Sequence, residues 1–250
     1  MEDINSKELG VVGEFGYSTA MNKGGFDIAK LAAGGCLSLV DAILKKKVQN
    51  GYALCRPPGH HALPDKAMGF CLLNNASLAA RYAQQELVKV GPDNRLDRPR
   101  IVIIDWDVHN GTESIFYDDP SVLVISIHQD NCFPPKSGQM EHKGEGDGEG
   151  YNINIPLPLG SGHGAYQYAF DEIVIPSIDN LTEHSDGMII VESGFDAMEY
   201  DPLGRQLLYS DSYAEMTQKL NEAAHRHCNR RLLMTHEGGY NPDTVPFACL

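Results

Sequence analysis

Asp107 and His109 stand two residues apart in Asp105-Trp106-Asp107-Val108-His109, directly after the apolar run 101–104. In an extended segment such positions project to one side, so a carboxylate and an imidazole would share one space. Asp196 follows a second apolar run, 188–191, and supplies a third ligand of the same kind. Three protein ligands leave a position for water and substrate, which separates a catalytic zinc from a structural one. Carboxylate and neutral imidazole also suit iron(II) or manganese, so ligand type alone leaves the metal open. Asp-x-His by itself describes many polar strand ends. The adjacent pair His60-His61 lies in a stiff Arg56-Pro57-Pro58-Gly59 loop. Such a pair can divide proton transfer, one imidazole taking a proton from the attacking water and the other protonating a leaving amine. A second set of metal ligands or a surface pair is the alternative. Tyr240 follows Gly238-Gly239, and its phenol could hold an oxyanion opposite a metal. Phe70 and Phe133 are candidates for the walls of a narrow slot, or for ordinary core.

These residues need elements that bring them together. Apolar, β-branched runs predict strands at 52–55, 101–104, 122–127, 151–155, 188–191 and 232–234, and amphipathic stretches predict helices at 25–45, 75–88, 112–117, 164–178 and 212–228. In the first helix Ile28, Leu31, Ala32, Leu39, Val40 and Ile43 recur at helical spacing. Gly34-Gly35 within it predicts close packing against a neighbour. The alternation predicts an α/β, three-layer fold: a mainly parallel sheet with helices on both faces. In such sheets functional loops follow the carboxyl ends of strands. Four runs here end in polar clusters: 56–61, 105–109, 192–196 and 235–240. Residues 10–24 show no period, and the Gly-Glu-Gly-Asp-Gly-Glu-Gly run at 144–150 reads as a solvated loop rather than a metal site.

Composition narrows the function. The chain of 250 residues carries a formal charge of −14 and is 42% hydrophobic, enough for one sizeable domain spanning 1–250, with 1–10 read as a disordered or foreign N-terminus. An acidic surface repels phosphates and anionic lipids, which argues against nucleic acid and membrane as direct partners and favours cationic substrates. The cysteines Cys36, Cys55, Cys71, Cys132, Cys228 and Cys249 form no Cys-x-x-Cys pair. They read as free thiols of a reducing compartment, pointing to the cytoplasm, or the nucleus in a eukaryotic cell. No apolar run approaches the ~18 residues of a membrane span. Nothing in the sequence sets an oligomeric state.

The segments Arg-Pro-Pro-Gly-His-His-Ala (56–62), Gly-Phe-Cys-Leu-Leu-Asn-Asn (69–75), Asp-Trp-Asp-Val-His (105–109), Ser-Gly-Phe-Asp-Ala (193–197) and Glu-Gly-Gly-Tyr (237–240) give the chain a resemblance to the zinc-dependent histone deacetylases, particularly class II and bacterial deacetylase-like amidohydrolases. The likeness runs from about Gly10 to the end and implies the arginase/deacetylase fold. It implies zinc on Asp107, His109 and Asp196, an acid/base pair of His60 and His61 with Asp105 polarising His60, and Tyr240 on the carbonyl oxygen. Gly69, Phe70 and Phe133 would line an acyl-lysine tunnel. One potassium would use Asp105, Asp107, His109, Ser126 and the Ile127 backbone, and a second the backbone around Phe116, Asp119, Val122 and Tyr151. The implied substrate is an acetylated lysine in a protein or peptide. Related polyamine deacetylases place a glutamate near Leu203, so leucine here leans towards acyl-lysine over acetylpolyamine.

The chain also departs from the family pattern. Members read Asp-x-Asp-x-His-His-Gly-(Asn or Asp)-Gly, whereas this chain reads Asp105-Trp106-Asp107-Val108-His109-Asn110-Gly111-Thr112. The simplest alignment deletes two residues and leaves Asn110 as the partner of His61. The family's first strand and closing helix have no counterpart, so the fold is expected to be truncated at both ends. A catalytically impaired, deacetylase-like binding protein is therefore the reading from a different class.

Overall fold

The computed structural model describes residues 9–12, 19–90, 98–182 and 187–248. The proposed N-terminal tail up to residue 8, and Cys249, lie outside them. The elements run β1 (Leu9–Val12), β2 (Thr19–Asn22), α1 (Gly25–Leu44), β3 (Asn50–Ala53), α2 (Asn75–Val90), β4 (Ile101–Asp105), β5 (Val122–Gln129), β6 (Asn152–Leu157), α3 (His163–Ala169), α4 (Ile175–Thr182), β7 (Met188–Ser193), α5 (Ser210–His227), β8 (Leu232–His236) and α6 (Val245–Ala248). Six strands form one sheet in the order β3-β8-β7-β4-β5-β6, and every pairing in it is parallel.

Strands covered on both faces read as continuous apolar runs rather than alternating ones, and β4 is such a run, Ile-Val-Ile-Ile-Asp, buried throughout. Its Ile101 and Ile103 pack with Met188, Ile190 and Leu233 against α1 and α2. Its Val102 and Ile104 face the other way, into a cluster with Ile189, Val191, Phe170, Met216 and Leu220. The three layers follow from this two-sided burial. Register then aligns the strand ends: Asp105 lies beside Ser126 and Glu192, Glu192 beside Thr235, and Ser193 beside His236. The polar clusters after β3, β4, β7 and β8 consequently share one edge.

Four local expectations need correction. Residues 112–117 form successive turns, not a helix. Thr112 sits at φ 56° with its N–H donated to the His60 carbonyl, and that tie holds the segment at the site instead of letting it coil. The 164–178 helix is split by a π-helical stretch, Phe170–Val174, before continuing to Thr182. Pro176 has no N–H to donate and its ring crowds the carbonyl four residues back, which widens the preceding turn. Part of 10–24 is regular, because β1 and β2 pair antiparallel. Finally, a Cβ on Gly34 or Gly35 would meet nothing within 4 Å, so no neighbour requires glycine there, whereas a Cβ on Gly51 of β3 would stand 2.6 Å from Leu39 of the same helix.

None of the described cysteines is in a disulfide. No described helix is long and apolar enough to cross a membrane.

Candidate active site

The segment after β4 turns back on its own side chains. Asp105 Oδ1 accepts the Asp107 N–H at 3.0 Å, and Asp107 Oδ1 accepts the His109 N–H at 2.9 Å. These bonds aim both carboxylates inward. His109 Nδ1 lies 3.0 Å from Asp107 Oδ1 and 3.0 Å from Asp196 Oδ2. Asp196 is anchored through Oδ1, which accepts the Val108 N–H at 2.8 Å, while its Oδ2 is buried and makes no hydrogen bond among the described residues. The 3.0 Å approach of His109 to that oxygen therefore lacks hydrogen-bond alignment. One ligand atom from each of Asp107, His109 and Asp196 falls within 4.8 Å of the others. Gly194 and Gly238 close over them: a Cβ on Gly238 would stand 2.2 Å from Asp196 Oδ2, and one on Gly194 2.3 Å from Asp107 Oδ2.

Charge in this cluster is frustrated. Burial and the Asp107 charge push Asp196 up to about 7. Burial opposes charging His109, yet its contacts with Asp107 and Asp196 outweigh that and raise its pKa. Two buried carboxylates thus compete for whatever positive charge stands between them, and an orphaned oxygen points at the gap. That is the arrangement a divalent cation would relieve.

His60 and His61 lie beside the cluster with ring centroids 3.9 Å apart. His60 Nδ1 hydrogen-bonds Asp105 Oδ2 at 3.0 Å, and its Nε2 is 3.6 Å from Asp107 Oδ2. Burial works against its charge, but Asp107 and Asp105 prevail and hold its pKa well above the ordinary histidine value. For His61, burial and the neighbouring His60 and His109 win over the weaker pulls of Asp107 and the Asn110 backbone, and its pKa falls well below normal. Two carboxylates that sequence reasoning gave no role hold this region. Glu237 Oε2 accepts the N–H groups of Gly59 at 2.7 Å and His60 at 3.1 Å, and its Oε1 accepts the Thr235 hydroxyl at 3.0 Å. Glu192 Oε1 accepts the Thr112 hydroxyl at 2.5 Å. Each follows or ends a buried strand with no alternating pattern, and a carboxylate in that position was the available signal.

Tyr240 follows β8, and its N–H donates to Asp201 Oδ2 at 2.8 Å. Burial and the charges of Asp107 and Asp196 raise the phenol pKa, so the hydroxyl keeps its proton. Asp201 Oδ1 also takes the Leu203 N–H at 2.8 Å, so one buried carboxylate ties the Leu203 turn to the Tyr240 loop. Phe70 stands edge-on to Tyr240 at 6.2 Å, and Phe133 stands edge-on to His61 at 4.8 Å. Phe70 and Leu203 are exposed at the rim. A Cβ on Gly69 would lie 2.4 Å from His61.

Residues 2–249 match the histone deacetylase domain model. The chain belongs to the histone deacetylase family. It is 43% identical over 240 residues to the histone deacetylase-like amidohydrolase of Pseudomonas aeruginosa, covering 95% of this chain and 60% of that one. It is 39% identical to histone deacetylase HDA1 of Candida albicans, covering 100% of this chain and 29% of that protein. The crystal structure of the HDA15 HD domain superposes with a TM-score of 0.85 at 36% identity, over 99% of this chain and 65% of that one. The chain thus spans less than two thirds of these relatives, and its all-parallel sheet is that of the arginase/deacetylase fold.

The short loop after His109 does not do what the alignment implies. Asn110 donates its amide to Asn154 Oδ1 at 3.1 Å, and His61 Nδ1 is left buried without a hydrogen bond among the described residues. The Asn110 side chain thus faces β6, while its backbone stays beside the His61 imidazole. A pocket of about 350 Å³ opens there, lined by His61, Asn110, Glu113, Ser137 and His142 among others. At the residues the resemblance assigns to potassium, the Ser126 hydroxyl donates to His128 Nδ1 at 2.9 Å, because His128 Nε2–H is committed to the Gly138 carbonyl. Ile127 is buried beside it. The carbonyls of Phe116, Asp119 and Tyr151 each accept a backbone N–H, from Asp119, Val122 and Val124.

Proposed function

We propose that the chain is a zinc-dependent deacetylase that hydrolyses the acetyl-amide of acetyl-lysine in proteins or peptides and releases acetate. The observation that carries this reading is the buried Asp107–His109–Asp196 cluster, with an unpartnered carboxylate oxygen aimed into it, one shell from a histidine pair. Asp107, His109 and Asp196 would hold the zinc, which when bound polarises the acetyl carbonyl and acidifies the attacking water. A divalent charge there also lowers the proton affinity of His60, bringing it back towards a range where it can accept a proton at neutral pH.

The chain's own groups supply the rest. His60 donates Nδ1–H to Asp105, which leaves Nε2 as its proton-accepting atom and fixes the ring. His61, kept neutral by burial, sits over the same space; it hands a proton to the departing amine only after taking one up, and the attacking water is the source of that proton. Tyr240 stays protonated and donates to the developing oxyanion. Phe70, Phe133 and Gly69, which stand against Tyr240 and His61, would border the acyl-lysine path. Potassium at Asp105, Ser126 and Ile127, and at the Phe116–Asp119–Val122–Tyr151 carbonyls, is part of the same proposal. The compartment is cytoplasmic, or nuclear in a eukaryote.

One observation favours a second reading. His61 Nδ1 makes no hydrogen bond among the described residues, which supports an impaired, binding-only protein. The two separate on a single experiment: metal-loaded protein is assayed on acetyl-lysine peptides and on acetylpolyamines, with and without chelator. Chelator-sensitive turnover of the peptides supports the proposal. Preference for acetylpolyamine contradicts the substrate assignment, and absence of turnover contradicts the enzyme.

A further inference from the structure

Cys36 and Cys55 are nineteen positions apart in sequence, yet their Sγ atoms are 3.7 Å apart. Cys36 lies on the inner face of α1, with no exposed surface. Cys55 follows β3, is partly exposed, and stands beside the exposed Leu54. Neither residue belongs to the zinc, imidazole or phenol groups described above. From Cys55 the chain runs directly into Arg56, whose guanidinium donates to the Glu237 carbonyl at 2.9 Å, and on to Gly59 and His60, held by the Glu237 carboxylate. A thiol pair therefore sits at the root of the loop that carries both histidines.

We propose that Cys36 and Cys55 form an oxidisable dithiol whose closure to a disulfide by hydrogen peroxide displaces the 55–61 loop and slows the enzyme. The step balances as two thiols and one peroxide giving one disulfide and two waters. The Cys55 thiolate attacks one peroxide oxygen, the O–O bond breaks, and a sulfenic acid forms as the leaving hydroxide takes a proton to become water. The Cys36 thiol then attacks the Cys55 sulfur, the S–O bond breaks, and the second water leaves. Both sulfurs are oxidised, and both peroxide oxygens are reduced.

The order of attack follows from the surroundings. The hydrogen bond shared with Cys36 lowers the Cys55 pKa against burial and Glu237, with Arg56 contributing in the same direction, whereas that pairing and burial raise Cys36. Thiolate is the nucleophile, so the exposed partner reacts first and the buried one resolves it. A disulfide needs its sulfurs about 2.05 Å apart, so closure draws the pair together by roughly 1.6 Å from the observed 3.7 Å. Cys36 is fixed inside a helix of 20 residues packed on the sheet. The displacement falls on the loop, and about 1 Å of misplacement at reacting groups costs on the order of 100-fold in rate.

The effect on rate rests on the deacetylase reading; the cross-link does not. Zinc-loaded full chain is treated with hydrogen peroxide, digested without reduction and searched by mass spectrometry for the 36–55 linked peptide. Turnover is followed in parallel before and after dithiothreitol. The expected result is the linked peptide, a loss of kcat of roughly 10-fold or more, recovery with dithiothreitol, and none of these in Cys55→Ser or Cys36→Ala. Peroxide that oxidises other thiols without linking 36 to 55 overturns the proposal. So does a linked protein that turns over as fast as before, or equal inactivation of Cys55→Ser, which would place the sensitivity at Cys71 or Cys132. An untreated chain with no turnover refutes the deacetylase reading and still leaves the cross-link to be scored.

Discussion

Replacing Glu237 by alanine should damage the histidine loop without touching a proposed metal ligand. The carboxylate accepts two buried backbone N–H groups, from Gly59 and His60, and one hydroxyl, from Thr235. A buried donor left unpaired costs about 1–3 kcal/mol, so the two N–H groups together account for about 2–6 kcal/mol. Losing the charge acts in the opposite sense. Burial raises the Glu237 pKa, which means the folded chain holds its ionised form at a cost that alanine removes. The expected net loss is about 2–4 kcal/mol. Glutamine retains an oxygen for both N–H groups and places its amide against Thr235, so Glu237→Gln should lose about 1 kcal/mol or less. The loop loosened by alanine carries His60 and His61, and kcat/KM should fall by roughly 10- to 100-fold. Urea unfolding gives the stability difference as a shifted midpoint at constant slope, and peptide deacetylation gives the rate. An alanine variant within about 0.5 kcal/mol of the parent, with kcat/KM unchanged, would refute the reasoning. A glutamine variant as damaged as alanine would do the same.

Three other perturbations follow from the same geometry. Tyr240→Phe should lower kcat by about 100- to 1,000-fold through loss of an oxyanion donor, with metal content by atomic emission unchanged; a metal-depleted variant would show the residue to be structural. Burial holds His128 at about 4 against an ordinary 6.5, so the unfolded chain takes up the proton first and stability is lost as pH falls from 6.5 towards 4. The loss is on the order of 3 kcal/mol, and His128→Gln should flatten the urea midpoint over that window; an unchanged pH slope contradicts the assignment. Leu203→Glu adds an exposed charge at the rim and should raise the preference for acetylpolyamine over acetyl-lysine peptide by about fivefold, from ~1 kcal/mol of charge pairing. No change in that ratio would remove Leu203 from the substrate path.

The sheet was legible in the sequence because its strands are buried on both faces, and unbroken apolar runs such as Ile101-Val102-Ile103-Ile104 leave little else for them to be. The convergence of polar clusters was legible for the same reason, since parallel strands in register deliver their ends to one edge. What tertiary contacts decide was not. Residues 112–117 have helical spacing, but Thr112 is held by Glu192 and by the His60 carbonyl across the fold. Asn110 matches an alignment column, yet its amide is taken by Asn154, a residue far away in sequence. Glu237 read as part of a motif around Tyr240, and only the structure shows it holding the loop of His60. The cysteines read as separate buried thiols because the packing of α1 on β3 that joins Cys36 to Cys55 leaves no local pattern.

The central claim is that Asp107, His109 and Asp196 hold a catalytic zinc. Its most direct test is zinc content measured on the same preparation as acetyl-lysine turnover, in the parent chain and in Asp196→Asn, whose substitution takes one carboxylate oxygen from the cluster. The account predicts about one zinc per parent chain with chelator-sensitive deacetylation, and loss of both metal and turnover in the variant. A parent chain that deacetylates without stoichiometric metal, or a variant that keeps its zinc and its rate, would contradict it.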